Sequence, residues 1–242
     1  MANFNQTLNK LSSSFSVCDI MIPINNLLCA INYEEAINLL GSTNYDIIPI
    51  KNKKGRIVGF IDRENMQTTN IDFELIISDA TSILDLINHL VNKKFIFVFC
   101  GNNIGGFIHF SDLNNEIVKL PLYLLFESVE NNLISKLNDK ISEVELTKIL
   151  DQKRLTEVNE KMGRLKASDA DLNWFSLLYF REIIKLSESL SIIKIKGDDI
   201  DIIAKVRNLI SHAGTPLVEK QTDVKKILDA IKICHKILQQ IV

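Results

Sequence analysis

Three residues near the end of one predicted helix could together act on a phosphate ester: Arg207, Asn208 and His212. An arginine guanidinium can hold a phosphate with two parallel hydrogen bonds and stabilise charge that develops on it. A histidine can transfer a proton near neutral pH, and the Asn208 amide could add a phosphate contact. Because Arg207 and His212 are five residues apart, they lie about 140° apart on an ideal helix. They could converge only through a distorted last turn or across two chains.

The helix that carries these residues belongs to a helical second half of the chain. Beyond Leu120, apolar residues recur at steps of three and four, which predicts amphipathic helices. Five are expected, over Pro121–Asp139, Glu143–Gly163, Ala170–Leu190, Asp199–Ala213 and Asp223–Ile241. Apolar residues cover nearly the whole circumference of the third helix. That pattern predicts burial in a core or against a second copy of the chain.

The first half contains an internal repeat of helix, strand, turn, strand and helix start. The segments of the first copy are Ile31–Leu40, Asp46–Ile50, Lys51–Gly55, Ile57–Ile61 and Asp62–Met66. The second copy follows roughly 48 residues later, a spacing typical of repeat units. Its segments are Asp79–Leu90, Phe95–Phe99, Gly101–Asn103, Ile104–Ile108 and His109–Leu113. Consecutive apolar residues in the short strands predict a sheet that is covered on both faces.

In this order the repeated segments resemble a pair of CBS domains, over about Ser16–Asn115. The motifs that carry the resemblance are VCDIM at Val17, DIIPI at Asp46, IVGFIDREN at Ile57 and GGFIHFSDL at Gly105. The resemblance implies a tandem CBS (Bateman-type) α/β module over residues 1–119, with repeats at about 16–68 and 69–119. It also implies an adenosine nucleotide as regulatory ligand and no cofactor.

CBS domains bind the nucleotide at the corner between strand and helix. The second corner reads Gly106-Phe107-Ile108-His109-Phe110-Ser111-Asp112. The resemblance places Asp112 at the ribose, where two carboxylate oxygens suit a vicinal diol. His109 replaces the usual hydroxyl residue at the phosphate, although a cationic imidazole could still bind a phosphate. Ser111 lies between His109 and Asp112 in the sequence.

In the first corner, Asn65 stands where Asp112 stands in the second, and Asp62 would repel a phosphate. We therefore expect the site at Asn65 to be weak or empty. In the alternative reading, both corners are simple helix caps, for which aspartate is well suited.

The helical half resembles the HEPN family, whose signature is an arginine followed four to six residues later by a histidine near the end of a long helix. The matching segment is Arg207-Asn208-Leu209-Ile210-Ser211-His212, and the likeness extends loosely over Pro121–Val242. It implies metal-independent cleavage of single-stranded RNA by a homodimer, through attack of the ribose 2′-OH on the adjacent phosphate. In the alternative, Arg207 pairs with an acid such as Asp201 and His212 stabilises the helix end.

The composition and charge of the chain argue against several classes of protein. Of the 242 residues, 46% are hydrophobic and 24% charged, and the net charge of −2 gives no overall attraction to nucleic acid or membrane. The longest apolar run, Leu120–Phe126, is far shorter than the roughly 20 residues of a membrane span. No two of the four cysteines form a CxxC pair, so we expect free thiols in a cytoplasmic protein and no metal site.

The sequence thus predicts an α+β protein: a tandem CBS pair followed by an all-α, HEPN-like five-helix bundle over residues 120–242. The expected function is sensing of an adenosine nucleotide that regulates a metal-independent HEPN-type endoribonuclease, with Arg207, His212 and Asn208 as catalytic residues. The alternative is a non-catalytic, nucleotide-binding regulatory adaptor that dimerises through its helical domain.

Overall fold

The computed structural model describes residues 10–11, 14–137, 143–167 and 174–241. They fall into two compact units. The N-terminal unit is Ser13–Val118 together with a second stretch, Val218–Val224, which we call the returning segment. The C-terminal unit holds Lys119–Leu217 and the chain from Lys225 onward.

The described N-terminal unit contains seven strands and, before Glu116, two α-helices. The strands are β1 (Ile22–Pro23), β2 (Ile47–Lys51), β3 (Ile57–Asp62), β4 (Thr68–Asn70), β5 (Ile76–Ser78), β6 (Phe95–Cys100) and β7 (Asn103–His109). The helices are α1 (Tyr33–Ser42) and α2 (Ile83–Leu90). Side chains of Asn32 and Ser82 cap their first turns by accepting from backbone N–H groups, so both helices begin later than predicted.

The strands form two sheets, each built around one hairpin of the repeat. One sheet has the antiparallel order β2-β3-β4. The other has the order β1-β7-β6-β5, in which only β5 and β6 run parallel. Gly55 and Gly101 close the two hairpins with φ of 75° and 61°, a backbone region that favours glycine. The two predicted strand–turn–strand segments are confirmed.

The core explains why successive strand residues are apolar. One cluster of buried residues forms where α1 packs on β2 and β3: Ala30, Ala36, Leu40, Ile48, Ile50 and Ile61. A second cluster joins the two hairpins: Ile47, Phe60, Phe97 and Phe107. Because neighbouring residues of a strand point to opposite faces, Ile47 and Ile48 enter different clusters. The sheet of β2 and β3 is therefore covered on both faces, as predicted.

The helix predicted to open at Asp62–Met66 is wrong. The Asp62 carboxylate accepts from the backbone N–H groups of Glu64 and Asn65 at 2.9 and 2.7 Å, which closes a local turn. Met66 follows with φ of 51°, outside the helical region. The chain then enters β4, whose threonines suit a strand.

The returning segment is tied to the N-terminal unit by side-chain amides. Asn114 donates to the carbonyl of Val218 at 2.8 Å and accepts from its N–H at 3.0 Å. The Gln221 amide donates to the carbonyls of Val91 and Lys93 at 3.2 and 3.0 Å. These carbonyls follow the end of α2, where a helix leaves its last acceptors without internal partners. Gln221 thus supplies the missing donors.

From Glu116 onward the described residues form six α-helices, where the sequence predicts five. They are α3 (Glu116–Leu137), α4 (Glu143–Thr147), α5 (Gln152–Ala167), α6 (Phe180–Ser189), α7 (Gly197–Ser211) and α8 (Gln221–Ile241). The predicted fifth helix is confirmed to within two residues at its start. No helix in the described part of the chain is long and apolar enough to cross a membrane.

Two predicted helix boundaries are corrected by local caps. Helix α3 starts at Glu116 instead of Pro121 because the Asn115 side chain accepts from the N–H of Ile117 at 3.0 Å. Its predicted end at Asp139 lies outside the described residues. The predicted helix Glu143–Gly163 is two helices, because Asp151 accepts from the N–H of Arg154 at 2.8 Å and starts α5 anew.

The apolar third helix is also wrong. Its predicted start at Ala170 lies outside the described residues, and the rest is a 3-10 turn (Trp174–Leu177) followed by α6. The break lies at Tyr179, whose N–H donates to the Glu182 carboxylate at 2.8 Å and whose backbone is extended. An all-round apolar helix therefore no longer supports a dimer.

Candidate functional site

A cavity of about 320 Å³ in the N-terminal unit brings the second corner together with residues of the first repeat. Its lining residues are Ile22, Leu27, Leu28, Asn44, Tyr45, Asp46, Ile47, Pro49, Phe107, His109, Ser111 and Asp112. The volume is at the lower end of the range for small-molecule pockets. Three of the four predicted nucleotide-binding residues, His109, Ser111 and Asp112, thus share one cavity.

The corner is also a helix cap. The N–H of His109 donates to Asp112 Oδ2 at 2.7 Å at the start of a 3-10 helix, Phe110–Asn114. The His109 Nδ1 atom accepts from the N–H of Ser111 at 3.3 Å and lies 2.8 Å from its hydroxyl. Asp112 Oδ1 has no hydrogen-bond partner among the described residues. The capping role therefore leaves one carboxylate oxygen of Asp112 available at the cavity.

Burial shifts the pKa values of His109 and Asp112, two titratable groups at this corner. It lowers the pKa of His109, against the opposing effects of the Asp112 and Asp46 carboxylates, while Lys94 lowers that pKa further. Burial raises the pKa of Asp112, although the N–H and the ring of His109 counteract it. The lowered pKa argues against the cationic His109 that was expected at a phosphate.

Asp46 is the main residue of this cavity that the sequence does not reveal. Its Oδ2 atom lies 3.5 Å from His109 Nε2, and that nitrogen is buried without a hydrogen bond in the described part of the chain. Asp46 lies just before β2, far from the corner in sequence. The available signal was the repeat itself, because paired repeats can place the strand start of one beside the corner of the other.

Arg63 holds the loop that presents Asp46. Its Nη2 donates to the carbonyls of Leu40, Thr43 and Tyr45 at 2.7, 2.6 and 2.9 Å. Its backbone N–H donates to the carbonyl of Asp46 at 2.8 Å. A guanidinium with several donors in a fixed fork suits this role. The loop between α1 and β2 is therefore held by Arg63, which directly follows β3.

The fourth predicted residue, Asn65, lies elsewhere. Its side-chain amide donates to Asp62 Oδ2 at 2.9 Å within the turn that replaces the predicted helix. It is not among the residues that line the described cavity. Asn65 therefore contributes to the turn and is not brought to the other three.

A second cavity, of about 460 Å³, lies in the C-terminal unit. Its lining residues are Glu130, Leu178, Tyr179, Phe180, Arg181, Asp201, Ala204, Lys205, Arg207 and Asn208. Two of the three predicted catalytic residues, Arg207 and Asn208, share it with the cations Arg181 and Lys205. His212 does not line it, so the structure brings together only part of the predicted catalytic set.

The surroundings of Arg207 and His212 differ from those predicted. Asp201 pairs with Arg181, and Arg207 Nη2 lies 4.0 Å from Glu130 Oε2. Burial and the nearby Glu127 raise the pKa of Glu130, while Arg207 opposes them. Helix α7 ends at Ser211, and His212 follows it in an extended conformation, exposed to solvent.

The His212 backbone has its own partner, because its carbonyl accepts from Lys119 Nζ at 3.3 Å. Sequence patterns could not reveal Glu130, which faces Arg207 from a helix almost eighty residues earlier. In the described ranges, no group of three or more His, Cys, Asp or Glu side chains could hold a metal ion.

Comparison with known proteins gives matches only to solved structures. No protein-family model matches the sequence, and no curated protein matches it. CBSX2 from Arabidopsis thaliana, a CBS-pair protein whose structure with AMP is also known, is 16% identical over 45% of this chain and 94% of its own, with a TM-score of 0.37.

Two further structures match similar shares. CbpB in complex with c-di-AMP is 16% identical over 50% of this chain and 95% of its own, with a TM-score of 0.39. The CBS domain of the bacterial CNNM/CorC family Mg²⁺ transporter in complex with ATP is 13% identical over 50% and 96%, with a TM-score of 0.36. All three similarities cover half of this chain or less, and they lie in its N-terminal part.

Proposed function

We propose that the N-terminal unit binds an adenosine nucleotide in the cavity at Asp112 and acts as a regulatory module. The observation that carries the proposal is the cavity itself, where His109, Ser111 and Asp112 meet Asp46 beside apolar walls. Apolar walls such as Phe107 and Pro49 suit a flat base, and the available Asp112 oxygen suits a ribose hydroxyl. Adenosine is the nucleoside that the resemblance of the Gly106–Asp112 corner implies.

The Asp112→Asn variant tests this proposal. Asparagine keeps an oxygen that can accept from the N–H of His109, so the cap is retained, but it removes the charge that strengthens a hydrogen bond from a ribose hydroxyl. We expect adenosine and AMP to bind about tenfold to a hundredfold more weakly. Isothermal titration calorimetry on the full chain measures this effect.

The matched control is Asp72→Asn, because Asp72 is exposed and its side chain caps no helix. It should bind both ligands as the parent does. Equal affinity in the parent and Asp112→Asn would remove Asp112 from the site. Absence of binding to the parent would contradict the nucleotide-binding function.

A finer proposal concerns the C-terminal unit: a metal-independent HEPN-type endoribonuclease that acts on single-stranded RNA and is regulated by the nucleotide. Arg207 and Asn208 support it, because they share a cavity with Arg181 and Lys205, and guanidinium groups suit phosphate. Since His212 lies outside this cavity, the proposal needs a homodimer in which the second chain completes the site. Regulation further requires that the nucleotide bind two states of the protein with different affinity.

Cleavage of labelled RNA tests the finer proposal. Arg207→Ala and His212→Ala should each reduce the rate by roughly a hundredfold or more, because they remove charge stabilisation and proton transfer. Arg207→Lys should rescue only in part, since an ammonium group cannot form the two-pronged contact. Cleavage should persist in EDTA. The control is His235→Ala, which replaces another exposed histidine, on α8, and should leave the rate unchanged.

The alternative function is a non-catalytic regulatory adaptor that binds a nucleotide and dimerises through its helical part. The exposed position of His212 outside the cavity and the proximity of Arg207 to Glu130 favour it. Absence of RNA cleavage by the parent with and without nucleotide, combined with nucleotide binding, would support this alternative. Light scattering of the full chain tests the dimer that both proposals share.

A further inference from the structure

The charged groups that line the nucleotide cavity are acidic. Asp46 and Asp112 both contribute carboxylates, and among the described lining residues there is no lysine or arginine. The nearby Lys94 does not line the cavity and is paired with Glu64. A ligand inside the cavity therefore meets two negative charges and no fixed positive one.

The imidazole of His109 does not offset this charge. Its burial favours the neutral ring over the cation, although Asp112 and Asp46 face it and oppose that preference. Since a backbone N–H always donates, the contact from Ser111 makes Nδ1 an acceptor. A neutral ring with Nδ1 unprotonated carries its proton on Nε2, the buried atom that faces Asp46. His109 thus directs its proton toward Asp46 and adds no positive charge to the cavity.

The polar groups of the cavity suit hydroxyls, not phosphates. Carboxylate oxygens of Asp112 and Asp46 can accept from hydroxyl groups. A phosphate would place like charges together in a site that is only partly open to water, where they repel more strongly than in bulk solvent. The ligand part that fits is a nucleoside.

We infer that the cavity admits the uncharged nucleoside part of its ligand and excludes phosphate groups, so that adenosine binds about as tightly as AMP or more tightly. The inference rests on the proposed nucleotide-binding function and narrows its ligand class. Any nucleotide that binds must keep its phosphates outside the cavity. Asp46 then acts as the residue that discriminates against phosphate.

Calorimetry on the full chain at neutral pH tests the inference, with adenosine, AMP and ATP as ligands and Asp46→Asn as the variant. For the parent, we expect the Kd of adenosine to be no more than about threefold above that of AMP or ATP. Asp46→Asn removes one negative charge without changing the size of the side chain. It should strengthen AMP binding relative to adenosine by about threefold to tenfold.

The outcomes separate this inference from the function on which it rests. If AMP or ATP binds the parent more than about threefold more tightly than adenosine, the inference is wrong and nucleotide binding stands. An unchanged ratio of the AMP and adenosine affinities in Asp46→Asn also overturns it, since Asp46 would then not exclude phosphate. If none of the three ligands binds the parent, the proposed function falls and the inference with it. The Asp72→Asn control should keep the parent's ratio.

Discussion

Replacing Arg154 with methionine is expected to lower the free energy of unfolding of the C-terminal unit by about 3–5 kcal/mol. The guanidinium donates to the two carboxylate oxygens of Glu182 at 2.8 and 3.0 Å and to the carbonyl of Leu177 at 2.7 Å. It also lies over the ring of Tyr179, 4.0 Å from the centroid. Since the side chains of Arg154 and Glu182 are only 12% and 16% exposed, the variant leaves a largely buried carboxylate without its cation.

Urea unfolding followed by the fluorescence of Trp174, the single tryptophan of the chain, reports on this unit. Arg154→Lys should recover part of the loss, because lysine restores the charge but not the two-pronged geometry. The double variant Arg154→Met with Glu182→Gln should be more stable than Arg154→Met alone, since it removes the unpaired charge.

Arg164→Met is the matched control, because Arg164 lies on the same helix and is exposed. It should change the free energy of unfolding by less than about 0.5 kcal/mol. Equal effects of the Arg154 and Arg164 variants would show that the ion pair with Glu182 stabilises the unit no more than an exposed side chain does.

Replacing Phe97 with alanine should destabilise the N-terminal unit by about 3–5 kcal/mol. Phe97 is fully buried, and its ring centroid lies 5.9, 5.8 and 5.7 Å from those of Phe60, Phe95 and Phe107. The change removes contacts on both hairpins at once and leaves a cavity that rigid strands cannot close. Because Phe107 lines the cavity at Asp112, binding of the proposed nucleotide should weaken as well.

Hydrogen exchange of the β6 and β7 amides, read by mass spectrometry, measures this effect apart from the C-terminal unit. Phe73→Ala is the control, since Phe73 is 90% exposed, and its effect should stay within about 0.5 kcal/mol. Unchanged protection of β6 and β7 in Phe97→Ala would contradict the shared role of the aromatic cluster.

The hairpins were predictable because their information is local. In the first turn, the Asn52 side chain accepts from the N–H groups of Lys54 and Arg56 at 2.9 and 3.1 Å, and Gly55 supplies the positive φ. These residues are neighbours in sequence, so the pattern that identifies them also contains their partners. The same holds for the corner at His109 and Asp112, where cap and candidate ligand contacts lie within four residues.

The errors lie where partners come from distant parts of the chain. Glu182 accepts hydrogen bonds from the N–H of Tyr179 and from Arg154, which lies almost thirty residues earlier, and these contacts stabilise the break at Tyr179. Apolar periodicity does not contain this information, so it predicted one continuous helix. Asp46 and Glu130 likewise reach their sites from other elements. The error at Asp62 is an exception, because the partners of its carboxylate are local. An aspartate at this position can either cap a helix or close a turn, and here it closes a turn.

The returning segment has a consequence for synthesis of the chain. Residues that complete the N-terminal unit leave the ribosome only after about 100 further residues have been added, which takes about 5–20 seconds at common translation rates. Until then the carbonyls of Val91 and Lys93 lack the Gln221 amide and must bind water. In a nascent chain that ends near Val118, the N-terminal unit is therefore not yet fully hydrogen-bonded. Most of the C-terminal unit is translated before the N-terminal unit is complete.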